Sequence, residues 1–165
     1  MNNNFCLRKG NETDFDQLFS IYMNKSVNRY LNFEIMDKHE FSNIFNELLK
    51  SGQLYVFEDS KQIMATCIVM RQKRRANHVV SLGTLATHPE YQGQRIGTQF
   101  LRTLFKELTD DGIKRVDLCV EADNSIAQKF YQKLGFQLEG VLKRYFKRPN
   151  EDYYVDEHMM ALLLS

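Results

Sequence analysis

Apolar side chains recur along the chain in two rhythms, every second residue and every third to fourth, and the switches between them mark out the elements. Phe5-Cys6-Leu7-Arg8 reads as a short first strand. Thr13 or Asp14 can cap a helix running to about Asn24, with Phe15, Leu18, Phe19 and Tyr22 on one face. A loop over 26–36 follows, and Asp37 opens a second helix striped by Phe41, Ile44, Phe45, Leu48 and Leu49, which Gly52 stops. Strand rhythm then takes over: segments 54–58 and 63–71 flank Asp59-Ser60-Lys61, a hairpin. A polar run over 72–77 leads into a strand over 78–87 that ends before Pro89. Ile96, Phe100, Leu101, Leu104, Phe105 and Leu108 return to helical spacing, so a helix starts near Gly97 and closes at Asp110-Asp111-Gly112. Val116, Leu118 and Val120 alternate in a strand. Asn124 caps a further helix carrying Ile126, Ala127, Phe130, Tyr131 and Leu134, with Gly135 as its stop, and 136–146 and 153–164 read as two long strands.

The predicted order is β-α-α-β-β-β-α-β-α-β-β, a chain of the α/β class in its α+β form. The strand–helix–strand unit around Gly97 needs parallel flanking strands, whereas the remaining connections are hairpins, so the sheet is expected to be mixed. No repeat, low-complexity tract or Pro/Gly/Ser-rich linker divides the chain, and 165 residues suit one domain over 1–165.

Composition narrows the function classes. A net charge of +1 provides no global field for nucleic acid or for a membrane surface. The longest apolar stretches are strand-sized, too short to span a bilayer. The start, Met1-Asn2-Asn3-Asn4, lacks the basic-then-apolar pattern of a secretory leader. Cys6, Cys67 and Cys119 lie far apart among alternating apolar residues, which reads as three buried free thiols and a reducing, cytoplasmic setting. His39, His78, His88 and His158 share no metal-ligand spacing with each other or with the cysteines, so no metal site is expected.

Two segments carry candidate chemistry. The first, His88-Pro89-Glu90-Tyr91-Gln92-Gly93-Gln94-Arg95-Ile96-Gly97-Thr98, joins a strand to a helix. A helix start exposes unpaired N–H groups and the positive end of the dipole, where a diphosphate sits well, and glycines let the backbone approach it. A tight turn that needs two glycines explains the pattern equally well. It is neither a Walker loop nor a Rossmann fingerprint. Gln92-Gly93-Gln94-Arg95-Ile96-Gly97-Thr98 resembles the Gln/Arg-x-x-Gly-x-Gly/Ala acetyl-CoA signature of the GNAT acetyltransferases. Arg95 departs from it by standing at the first signature Gly. A helical backbone is expected there, with the guanidinium either near a phosphate or solvated.

The second segment, Asn124 to Phe136, matches the GNAT pattern Asn-x-x-Ala-x-x-x-Tyr-x-x-x-Gly-Phe through Asn124, Ala127, Tyr131, Gly135 and Phe136. Without the family it is an amphipathic helix in which Asn124 is a cap and Tyr131 a core aromatic. The resemblance covers nearly the whole chain. It implies a six- to seven-stranded, mostly antiparallel sheet with about four helices, splayed at a central parallel pair. It also implies direct transfer of an acetyl group from acetyl-CoA to an amine.

By the same resemblance Tyr131 protonates the leaving thiolate, Leu85, Ala86 and Thr87 line the pantetheine and oxyanion, and Asn124 contacts that arm. The tail from Gly140 to Glu157 is similar to bacterial acetyltransferases of amino acids and related small amines. The predicted strand 78–87 holds no carboxylate, which leaves His78 or water as proton acceptor, or His78 as a strand-edge residue. Glu34 in the loop is a candidate to hold the acceptor, or else a solvated loop carboxylate. Asp156 and Glu157 adjoin on the last strand and face opposite ways, so one of them, Asp156 as the candidate, faces the acceptor, or the two are a surface ladder pair. Lys73-Arg74-Arg75 and the basic run 144–148 read as solvated turns or anion contacts. Three functions stay open: a small-molecule N-acetyltransferase, a protein N-terminal acetyltransferase, and a non-catalytic acetyl-CoA-binding domain. A homodimer is compatible with the resemblance.

Overall fold

The computed structural model describes residues 4–165; Met1, Asn2 and Asn3, where the sequence shows no leader pattern, lie outside the described residues. The chain forms two compact units, one of residues up to Met70 with Thr84–Glu107, the other of Arg71–Gly83 with Leu108–Ser165.

In the first unit, strand β1 (Phe5–Lys9) is followed by a 3-10 turn (Glu12–Asp14), then helices α1 (Phe15–Tyr22), α2 (Lys25–Asn28) and α3 (Lys38–Ser51). Strands β2 (Leu54–Asp59) and β3 (Gln62–Arg71) form the expected hairpin, and the second half of β4 (Val79–Thr87) leads to helix α4 (Ile96–Asp110). β1 and β2 pair antiparallel from Phe5↔Asp59 to Lys9↔Tyr55, and β2 pairs β3 likewise from Leu54↔Ile68. The two-residue turn between them holds Ser60 at φ 51 and Lys61 at φ 71, the left-handed pair that matches strand twist.

Asp14 stands at the N-cap of α1 as one of the two expected residues but makes no side-chain cap bond; the capping bonds come from Asn11, which opens the preceding 3-10 turn through a capping box with Asp14. The Asp14 carboxylate is otherwise engaged: both oxygens accept from the Arg8 guanidinium at 2.8 Å. α1 stops at Tyr22, because the Asn24 side chain accepts from the Ser26 amide at 3.0 Å and starts α2 inside the predicted loop. An Asn side chain that competes for backbone donors breaks a helix in this way. Asp37 caps α3 and Gly52 ends it at φ 64, as the pattern predicts. The helices bury Leu18, Ile21, Tyr22, Phe41 and Phe45 against Val56, Ile63 and Ala86. Phe41 sits at the centre, its ring 5.5 Å from Phe15, 5.6 Å from Phe19 and 5.9 Å from Tyr22. Each such buried large side chain stabilises by about 1.5–3 kcal/mol.

The second unit contains the first half of β4 with β5 (Arg115–Glu121), α5 (Ser125–Lys133), β6 (Gln137–Phe146) and β7 (Val155–Leu163). β4 and β5 run parallel from Val79↔Arg115 to Leu82↔Leu118, where their ladder ends. β5 pairs antiparallel with β7 along its whole length, from Arg115↔Leu163 to Glu121↔Glu157. β6 closes the ladder against β7, giving a seven-stranded sheet in the order β1-β2-β3-β4-β5-β7-β6. Only the β4–β5 pair is parallel among the described ladders, and α4 supplies the crossover that it requires. The mixed, mostly antiparallel architecture is the expected one, with α2 the addition to the helix count.

Two cysteine expectations are corrected. Cys67 is buried, but Cys6 and Cys119 are exposed. Phe5 turns toward Phe57, 5.3 Å between rings, so Cys6 faces the other way; Cys119 lies on the β5 face opposite buried Val116, Leu118 and Val120. Among the described residues no helix is long and apolar enough to cross a membrane, and no group of three or more His, Cys, Asp or Glu is placed to hold a metal ion.

Candidate active site

In the first unit the chemistry gathers at the end of β4. Thr84, a β-branched residue, sits at φ 48, a conformation that costs about 1–3 kcal/mol and is found where function demands it. Leu85, Ala86 and Thr87 follow, Ala86 buried and its neighbours half-buried, and the His88 amide donates to the Met64 carbonyl at 2.8 Å. A 3-10 turn (Pro89–Tyr91) then feeds an exposed turn over 92–95. Gly93 is at φ 75, and an added Cβ there would meet nothing within 4 Å, so approach to this backbone is open.

Arg95 corrects the sequence expectation: its φ is 64, left-handed rather than helical. The physical reason is position. Its carbonyl accepts the first bond of α4, from the Gln99 amide at 3.1 Å, so Arg95 stands just ahead of the helix, where the backbone is not helical. The amides of Ile96, Gly97 and Thr98 come before any intrahelical partner, at the positive end of the α4 dipole. Gln92 and Gln94 turn their side chains back on the loop, Gln92 Nε2 donating to the Thr87 carbonyl at 3.2 Å and Gln94 Nε2 to the Glu90 carbonyl at 2.6 Å. Buried Ile96 anchors the helix start. An exposed turn braced by its own side chains, followed by helix-start amides that have no intrahelical acceptor, with no acidic residue over 92–98, fits a diphosphate.

In the second unit the chemistry gathers at the end of β5. Asn124 caps α5, its side chain accepting from the Ala127 amide at 3.2 Å. Gln128 Nε2 bridges the carbonyls of Glu121 and Ala122, at 3.0 Å each, and fixes the turn between strand and helix. Tyr131, 7% exposed, packs its ring 5.3 Å from Phe130 and 5.6 Å from Phe136.

Beside this helix lies a pair of carboxylates: Glu157, singled out in the sequence as the neighbour of Asp156, and Glu121, which the sequence reading missed. Glu121 and Glu157 are direct ladder partners, 6% and 8% exposed. Burial pushes the Glu121 carboxyl up to about 7; nearby Glu157 and Asp123 push the same way, against its own backbone hydrogen bond and the Arg148 charge. Burial also raises Glu157, against a hydrogen bond from the Cys119 thiol. Desolvation, then Glu157, holds that thiol up at about 11. Arg148 is likewise buried rather than part of a solvated basic turn. It grips Asp123 at 2.8 and 3.0 Å, reaches Glu151 at 3.0 Å and lies 5.4 Å over the Phe146 ring. One signal for Glu121 was available: it closes a strand whose alternate residues are apolar, so it stands on the polar face at the carboxyl end. Pattern alone does not say that β7 and the chain around Arg148 cover that face.

The structure does not bring His78 to this cluster. His78 is exposed, just before β4, and its carbonyl accepts from the amides of Lys114 and Arg115 at the opposite end of β5. Six residue steps of strand, about 20 Å, separate Arg115 from Glu121. Asp156 is occupied, accepting from Lys143 Nζ at 2.9 Å and the Arg144 amide at 2.8 Å, while Glu157, the next residue, takes the buried side. Glu34 is exposed in the loop between α2 and α3, and Lys73, Arg74 and Arg75 are solvated.

The sequence profile described as the acetyltransferase (GNAT) family matches residues 15–136, more than half of the chain. The chain belongs to the GNAT acetyltransferase family. It is 31% identical over 111 residues to an L-amino acid N-acetyltransferase from Escherichia coli, covering 66% of each chain. It is 34% identical over 85 residues to an Escherichia coli alanine N-acetyltransferase of a ribosomal protein, covering 52% of this chain and 56% of that one. The chain thus spans two thirds or less of the length of these curated relatives. Among solved structures, a spermidine N-acetyltransferase from Vibrio cholerae, in complex with CoA and spermine, superposes with a TM-score of 0.81 over 96% of this chain and 95% of that one, at 19% identity. That likeness is one of GNAT fold.

Proposed function

We propose that the protein is an N-acetyltransferase that moves the acetyl group of acetyl-CoA to a primary amine, working as one domain over 1–165. The observation that carries this is the exposed turn over 92–95, with Gly93 and Arg95 left-handed directly ahead of α4, in a chain of the GNAT family. Acetyl-CoA supplies an activated thioester. The amides from Gly93 to Thr98 hold its diphosphate, and Gln92 and Gln94 keep the turn in shape. Leu85, Ala86 and Thr87 provide main-chain groups for the pantetheine arm, with Asn124 at the cap of α5. Tyr131 gives its hydroxyl proton to the departing sulfur, as a phenol near pKa ~10 can for a thiolate near ~8.5.

The acceptor is a small primary amine such as an amino acid or a polyamine, and the setting is cytoplasmic. Similarity to the amino acid N-acetyltransferase supports the first, and the polyamine enzyme shares the fold. A second reading, a protein N-terminal amine, draws on the 34% identity to the ribosomal-protein enzyme. The deciding experiment mixes the protein and acetyl-CoA with L-amino acids, spermidine and an alanine-starting peptide, and follows free thiol. Acceptor-dependent release with a small amine supports the first reading and preference for the peptide the second. No release with any amine, or no calorimetric binding of acetyl-CoA, overturns both.

A further inference from the structure

Glu121 is a buried carboxylate held by its own backbone amide rather than by another side chain. No ion pair and no side-chain hydrogen bond to its carboxylate is found among the described residues. Among the described residues the cation that acts on it, Arg148, is engaged with Asp123 and Glu151. Its ladder partner is another carboxylate, Glu157, whose charge disfavours a second one at Glu121. Such an arrangement destabilises the chain, and unfavourable buried charge concentrates where chemistry uses it. Glu121 also stands at the carboxyl end of a parallel strand, beyond Leu82↔Leu118, where the β4–β5 ladder has ended, and three residues before the Asn124 cap of the helix that carries Tyr131. In open α/β sheets ligands collect outside the carboxyl ends of parallel strands, and β4–β5 is the parallel pair among the ladders described. At 6% exposure Glu121 keeps a narrow route for protons to and from solvent.

Resting on the N-acetyltransferase reading above, we propose that Glu121 is the proton acceptor of the reaction, with Glu157 across the ladder as its positioning residue. The acceptor arrives as an ammonium and gives one N–H proton to the Glu121 carboxylate. The freed lone pair forms the C–N bond at the thioester carbonyl, and the C–S bond breaks with its electron pair on sulfur. Sulfur takes the Tyr131 hydroxyl proton, and the second N–H proton lost by nitrogen restores the hydroxyl. One N–H remains in the amide, and Glu121 returns its proton to water. The groups that set the readiness of Glu121 are Glu157 from β7, Asp123 from the turn before α5, Arg148 from the segment before β7, and Cys119 on its own strand.

The test is the pH profile of kcat/KM with the best acceptor of the panel. The wild type should show an acidic limb centred near pH 7. Glu121→Gln should lower kcat by about 10²–10⁴-fold and abolish that limb, while acetyl-CoA binding by calorimetry persists. Glu121→Asp should restore part of the turnover together with the limb. Glu157→Gln should lower kcat by less than Glu121→Gln does and move the limb to lower pH, since a like charge is gone. Glu121→Gln turning over within threefold of wild type, with the limb intact, overturns this inference alone. A wild type that binds acetyl-CoA but acetylates no amine overturns the parent reading and this one together.

Discussion

Replacing Arg95 by Gly isolates one backbone angle. At φ 64 an L-residue carries a left-handed penalty of roughly 1–2 kcal/mol, which Gly escapes. Gly also gains freedom in the unfolded chain, which offsets about 0.4–1 kcal/mol of that relief. The side chain is exposed, so little packing is lost. The net expectation for Arg95→Gly is a gain of about 0.5 kcal/mol, a rise of about 1–2 °C in Tm for a chain of this size. Arg95→Ala removes the same guanidinium but keeps the strained angle, so it should show no gain. The assay is urea unfolding of the three proteins under one condition, with midpoints compared at a common slope. Both variants keep every amide of the turn, so their acetyl-CoA affinities should agree with each other within about threefold. Arg95→Gly no more stable than Arg95→Ala would refute the reasoning that a strained cap is held open at the head of α4.

Tyr131→Phe should keep acetyl-CoA binding by calorimetry and lower turnover by about 10²–10⁴-fold in the thiol-release assay. Asp14→Ala strips Arg8 of its bidentate partner and the Asn11 amide of its acceptor, while Arg8, about a quarter exposed, keeps Glu58 at 2.7 Å; it should cost about 1–2 kcal/mol in urea unfolding. For Glu121 the folded pKa, about 7, lies above its ordinary value of 4.5, so the protonated form favours the fold. Its contribution is full below pH 4.5 and is lost as pH rises through 7. Glu121→Gln should therefore be more stable than wild type at pH 8, by on the order of 3 kcal/mol at most, and close to it at pH 4.5. A thiol reagent at pH 8 should label Cys6 first, Cys119 slowly because its thiol is held up at about 11, and Cys67 only on unfolding.

Local rules made most of the elements legible in the sequence. Asp37 and Gly52 bound α3, Asn124 and Gly135 bound α5, and the Ser60-Lys61 turn joins β2 to β3, because caps and turns are settled by a few neighbouring residues. The two signatures likewise located the turn before α4 and the helix bearing Tyr131. The sequence was less informative where a polar side chain could choose among partners. Asn24 ended α1 early, and Asn11 made the capping bonds expected of Thr13 or Asp14, the Asp14 side chain being claimed by Arg8.

What the sequence determined by itself was the alternation of β5, with its apolar face at Val116, Leu118 and Val120. Only the tertiary structure decided what covers the other face. The β5–β7 register sets Glu157 against Glu121, and Arg148 folds in beside Asp123, so two acids whose burial the strand pattern does not contain are covered. The same holds for Arg95, whose angle is fixed by where the first bond of α4 falls. Burial and register are properties of elements brought together over long separations, and no local window contains them.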